Sequence, residues 1–85
     1  MILADRIRAY VVKHYIDPAK AEDRTLVSFR AGDVHKEMGL YNRMPAVCGA
    51  IDAEKFKEIA GVQLLERTGP HQGSNAVWVF KILRT

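Results

Sequence analysis

Phe29-Arg30-Ala31-Gly32-Asp33-Val34-His35-Lys36-Glu37-Met38-Gly39-Leu40-Tyr41-Asn42-Arg43-Met44-Pro45-Ala46-Val47-Cys48 is the stretch whose reading decides the fold. Ala31, Val34 and Met38 share one face of a helix over 31–38, with Asp33 in its first turn, where a carboxylate suits the helix dipole. Gly39 takes the left-handed conformation that closes such a helix. Leu40-Tyr41-Asn42-Arg43 is then too short for anything but a tight turn. Asn42 reads as the N-cap of a third helix with Pro45 in its first turn, and Met44, Val47, Cys48 and Ile51 repeat at i, i+3, i+4 and i+7. Ala46, Gly49 and Ala50 fall on its outward side.

Working outward, Leu3, Ile7, Tyr10, Val11 and His14/Tyr15 recur at helical spacing over 2–16, with Asp5, Arg6, Arg8 and Lys13 between them. Pro18 is expected to end that helix, leaving a polar loop over 17–24. The β-branched and aromatic run 25–29 predicts a short strand. On the C-terminal side, Asp52 reads as the N-cap of another helix over 53–60, with Ala53, Phe56 and Ile59/Ala60 inward, and Gly61 stops it. The runs 62–67 and 76–83 predict a β-hairpin whose tip, 68–75, is dense in turn formers. Trp78 alternates with Ala76, Phe80 and Ile82, which places it in the core.

Two helices joined by a tight turn make a helix-turn-helix. The order helix, short strand, helix, turn, helix, hairpin resembles that of the winged helix-turn-helix family over nearly the whole chain. Phe29 to Leu40 is similar to that family's strand and second helix, and Tyr41 to Cys48 to its turn and recognition helix. The chain is also similar to small uncharacterised prokaryotic proteins of that class. The resemblance implies an α+β fold of three to four helices, with a short strand and a C-terminal hairpin as the wing, in one domain over 1–85. It implies double-stranded DNA as the partner and a role as a stand-alone regulator or accessory domain. By position, the contacts fall to Tyr41, Asn42, Arg43 and Ala46 around the recognition helix, and to Arg67, His71, Gln72, Ser74 and Asn75 of the wing. The small outward residues of the third helix depart from the family's pattern, because Ala and Gly carry no side-chain donor for a base edge. A protein-interaction module on the same fold is therefore the alternative.

Composition frames both readings. The 85 residues suffice for one core and are 48% hydrophobic and 27% charged. The net charge of +3 agrees with a polyanionic partner. It resides mainly near the C-terminus: residues 1–24 carry five Lys/Arg against four Asp/Glu, 25–61 five against five, and 62–85 three against one. No apolar run reaches the roughly 20 residues a membrane span needs, and charges in the first ten residues interrupt any signal-peptide core, so a cytoplasmic protein is expected. Cys48 is the only cysteine and lies on an apolar stripe, so it reads as a buried small hydrophobe. His14, His35 and His71 have no metal-ligand spacing, and no acid–base or nucleophile constellation can be assembled, so neither cofactor nor catalysis is expected. Arg43 reads either as a phosphate or guanine contact or as the partner of Asp33 or Glu37. Lys36, Lys55 and Lys57, beside Glu37, Glu54 and Glu58, read as a solvated face. Tyr10 and Tyr15 of the first helix offer a surface for a homodimer.

Overall fold

The computed structural model describes residues 2–83. Helix α1 (Leu3–Val11) passes into a π segment (Val12–Ile16) and then into α2 (Asp17–Ala21). Strand β1 (Leu26–Arg30) leads directly into α3 (Ala31–Glu37); α4 (Met44–Asp52) and α5 (Glu54–Ala60) follow, and then β2 (Val62–Thr68) and β3 (Val77–Ile82). The strands form an antiparallel sheet in the order β1-β3-β2. The α+β class and the terminal hairpin stand as the sequence predicts.

Pro18 does not end the first helix, and residues 17–21 are helical rather than a loop. In a regular α-helix Pro18 would remove a donor and crowd the carbonyl four residues back. Here the preceding turn is widened, with the Asp17 N–H donating to the Val12 carbonyl five residues back, so the register slips just before the proline. The widened turn also rotates Tyr15 toward Tyr10, from which five residues of α-helix would separate it by about 140°. Both hydroxyls donate to the Glu37 carboxylate, at 2.9 Å from Tyr10 and 2.7–2.8 Å from Tyr15, and Tyr10 stacks on His14. The tyrosines expected to pair two copies are thus turned onto α3 of their own chain.

One core fills the space between helices and sheet. Ile7, Val11, Ile16, Val34, Val47, Ile51 and Phe56 enter it from the helices, and Phe29, Trp78 and Phe80 from the sheet. Phe29 is its hub, with ring centroids 5.6 Å from Trp78, 5.8 Å from Phe80 and 6.4 Å from Phe56. The alternation of Ala76, Trp78, Phe80 and Ile82 puts all four inside, as predicted. Ile59 is half exposed, and only Ala60 of that pair points inward. Gly39 and Gly61 both adopt φ +67°, the left-handed caps read from the sequence. Lys20 completes the second of these ends by donating to the Ala60 carbonyl at 3.0 Å.

Arg8, placed by the periodicity among the outward charges, is only 7% exposed. It donates to the Ala50 carbonyl of α4 and to Asp5, both at 3.1 Å, while its Nε has no partner. The Asp5 carboxylate also accepts from Lys55 at 3.2 Å. These hydrogen bonds, Arg8 first and Lys55 second, hold the Asp5 carboxyl below its ordinary range. Among the described residues no helix is long and apolar enough to cross a membrane.

Candidate nucleic-acid interface

The turn between α3 and α4 differs from its predicted form. Asn42 is not the N-cap: it sits outside the helix at φ +52°, a conformation Asn tolerates well, and Arg43 occupies the cap position. No side chain caps α4. Instead the Arg43 backbone N–H donates to Nε2 of His35 at 3.2 Å, tying the turn to α3. Pro45 lies in the first turn, as expected. Tyr41 projects at the apex, 83% exposed.

This geometry sets aside the intramolecular reading of Arg43. Its proposed intramolecular partners are engaged elsewhere, since Asp33 accepts from Arg30 at 2.9 Å and Glu37 accepts from the two tyrosines. The exposed Arg43 guanidinium has no partner among the described residues. Lys36 is likewise exposed and unpaired, whereas Lys55 and Lys57 are held by Asp5 and Glu54. Two of the three lysines read as a solvated face are therefore in ion pairs, and Lys36 joins Arg43 as an unpaired cation near the turn. Sequence adjacency to Glu37 concealed this, because the tyrosines that occupy Glu37 lie more than twenty residues earlier.

Along α4, Pro45 and Gly49 are exposed and Ala46 is half-buried. Ala50, expected outward, is buried at 2% exposure beneath Arg8, whose guanidinium binds its carbonyl. A methyl group at Gly49 would meet nothing within 4 Å.

The hairpin tip is not a free arm. Arg67 Nε and Nη2 bind the Asp52 carboxylate at 3.3 and 3.1 Å; Nη1 donates to the Gly69 and Pro70 carbonyls, and Nη2 also to that of His71 at 2.7 Å. A guanidinium has five N–H donors, and all of them are thus satisfied within the chain. Arg67 also lies 5.3 Å from the Trp78 ring centre, and Trp78 Nε1 donates to Asp52 at 2.7 Å. Asp52, read from sequence as a helix cap, instead ends α4 and locks its end to the hairpin; Ala53 occupies the cap of α5.

From the other side, Arg30 donates to the Ser74 carbonyl at 3.0 Å and to Asn75 Oδ1 at 3.2 Å. The Gly32 N–H also bonds to Ser74, at 2.9 Å. Cys48, buried as predicted and with its thiol pushed up by burial, points its sulfur at the Gly73 carbonyl, 3.8 Å away. The tip therefore rests against α3 and α4. Among the expected wing contacts, Arg67 is fully engaged and Ser74 and Asn75 hold the tip through a carbonyl and a side-chain oxygen, while the exposed His71 and Gln72 side chains make no bond among the described residues.

Arg43, Lys36 and Tyr41 thus lie at or near the α3–α4 turn, Pro45 and Gly49 are exposed along α4, and His71 and Gln72 belong to the hairpin tip that rests against α3 and α4. Arg67 and Arg30 fix that arrangement instead of facing outward. Among the described residues no cluster of three or more His, Cys, Asp or Glu side chains is arranged to hold a metal ion. No known family model, curated protein or solved structure matches this chain.

Proposed function

We propose that the chain is a winged helix-turn-helix module that binds double-stranded DNA and acts by binding, not catalysis. The observation that carries this reading is Arg43: an exposed guanidinium at the start of α4, with Asp33 and Glu37, the carboxylates named for it, engaged elsewhere. The sheet order β1-β3-β2 and the placement of α4 beside the hairpin are what a wing next to a recognition helix requires. In this reading α4 enters the major groove and Arg43 donates to a phosphate or a guanine. Lys36 adds a phosphate contact, and His71 and Gln72 touch the backbone alongside. The small residues at 46 and 49 let the α4 backbone come close to the duplex but read no base through hydrogen bonds, so the expected affinity is dominated by phosphates.

Fluorescence anisotropy on duplexes at several salt concentrations tests this. Nonspecific binding with dissociation constants of about 10⁻⁴–10⁻⁶ M at physiological salt, falling steeply as salt rises, is expected. Arg43→Ala should weaken binding by about 1–3 kcal/mol with relaxed preference at one position if the side chain reads a base. If it holds only a phosphate, the loss should be uniform across sequences and the salt slope shallower by about one. Tyr41, strongly exposed in the turn before α4, supports the second reading, a protein-interaction face, since exposed aromatics make anchors at interfaces. A folded chain that binds no duplex even at low salt would move the assignment to that class.

A further inference from the structure

The two edges of the sheet differ in a way the DNA reading does not use. At the β2 edge the ladder is broken by a bulge between Leu64 and Glu66, next to the charged pair Glu66 and Arg67. Bulges and charges are common protections of an exposed edge. The β1 edge has no bulge, since Leu26 to Arg30 pair with β3 in five consecutive matched positions, and its one charge, Arg30, stands at the end of the strand.

The ladder bonds show which groups face outward. The Ile82 N–H donates to the Thr25 carbonyl and the Ala31 N–H to the Ala76 carbonyl, both at 2.8 Å, so the odd-numbered residues of this segment aim their backbone groups at β3. The N–H and C=O groups of Leu26 and Ser28 and the N–H of Arg30 therefore point away from the sheet, whereas the Arg30 carbonyl, at the cap of α3, takes the first bond of that helix. A groove of about 530 Å³ runs along this edge, with Tyr15, Pro18 and Ala19 on one wall and Leu26, Val27 and Ser28 on the other.

We propose that β1 is a dimerisation edge, at which a second copy of the chain adds its own β1 antiparallel across a two-fold axis at Ser28. The edge is self-complementary about that residue. Ser28 faces Ser28 of the second copy as a hydrogen-bonded pair, and the flanking pairs set Leu26 against Arg30, so the one charge of the strand never meets its like. The axis also brings the Glu22–Arg24 ion pair of each copy toward the Arg30–Asp33 pair of the other, so both ends of the interface combine opposite charges. The small side chain at the axis allows the spacing of paired strands, about 4.8 Å, and the groove supplies the room beside it. Because this two-fold axis is perpendicular to the sheet, the result is one six-stranded sheet with the helices of both copies on the same side. An edge contact of this length falls below the roughly 1,200 Å² of a stable interface, so the dimer is a weak one.

Sedimentation velocity on the full chain from about 1 µM to about 1 mM, a range that spans weak association, is the first test. A reversible monomer–dimer equilibrium is expected, with the Ser28 and Arg30 amides, which find the Ser28 and Leu26 carbonyls of the second copy, gaining hydrogen-exchange protection as concentration rises. Ser28→Lys should raise the dissociation constant at least about tenfold, because two ammonium groups then face each other at the axis. An equimolar mixture of Ser28→Lys and Ser28→Glu should recover a heterodimer that neither variant matches alone. Ser28→Pro, which removes an outward N–H without touching the ladder, should abolish dimerisation while leaving the melting transition in place. A wild-type chain that stays monomeric throughout with these amides unprotected overturns the proposal and leaves the edge to an extended peptide of another protein. A dimer indifferent to Ser28→Lys places the interface elsewhere and overturns it equally. Neither result bears on duplex binding, which is read separately through Arg43.

Discussion

Arg67 and Gly49 make opposite predictions for a single substitution. Arg67→Ala removes all five donors at once and leaves the half-buried Asp52 with Trp78 alone, so we expect a loss of about 2–3 kcal/mol. The loss should appear as a lower urea midpoint, with the Gly69 to Ser74 amides exchanging faster. Duplex binding would weaken as well, but its salt slope should remain that of the wild type, because Arg67 touches no phosphate. Gly49→Ala adds a methyl in open space in the middle of α4, which should stabilise the fold by about 0.5–1 kcal/mol. Gly49→Glu should leave the melting temperature near that of the wild type and yet suppress duplex binding. Binding unchanged in a folded Gly49→Glu chain would remove α4 from the interface.

The long first helix is fastened to α3 by Tyr10, Tyr15 and Glu37, and this junction responds to alkali. Partial burial and the Glu37 carboxylate both raise the two phenol pKa values above their ordinary 10.0. As pH rises past about 10 the unfolded chain releases these protons while the folded chain retains them, so stability is full below that point and declines above it. Denaturant midpoints measured between neutral pH and strong alkali should show the fall, and Tyr15→Phe should flatten it. At the acid side Asp5 acts in the opposite direction. Its folded pKa lies below 3.8, so its contribution is present above that value and is lost as pH falls through the folded pKa. The hairpin, by contrast, is indispensable: a chain ending at Gly61 loses Trp78 and Phe80 and exposes Phe29 and Phe56. Its circular dichroism should show a molten or unfolded state with no cooperative melt.

For the molecule as a whole, chelators should leave melting and duplex binding unchanged, because the fold is held by one apolar core and by side chains that bind backbone carbonyls. Periodicity, residue type and turn formers read along the chain identified the α+β class, the three strands to within one or two residues, the left-handed glycines at 39 and 61 and the inward set Ala76, Trp78, Phe80 and Ile82. These depend on spacing along the chain and on backbone conformation, both of which are local. The helix through Pro18, the burial of Arg8 and Ala50, the displacement of Asn42 from the cap and the use of Asp52 as a hub were not legible there. The first depends on the widened turn just before the proline, which no local propensity announces, and the others on partners far away in sequence: Ala50 for Arg8, His35 for the Arg43 backbone, and Arg67 with Trp78 for Asp52. The same holds for the candidate site. The sequence by itself placed Arg43 and the turn at the start of a helix, but only the tertiary structure decided which cations face outward. A charge is available for a partner only when no carboxylate or carbonyl is brought to it by folding, and that depends on packing rather than on neighbours in the chain.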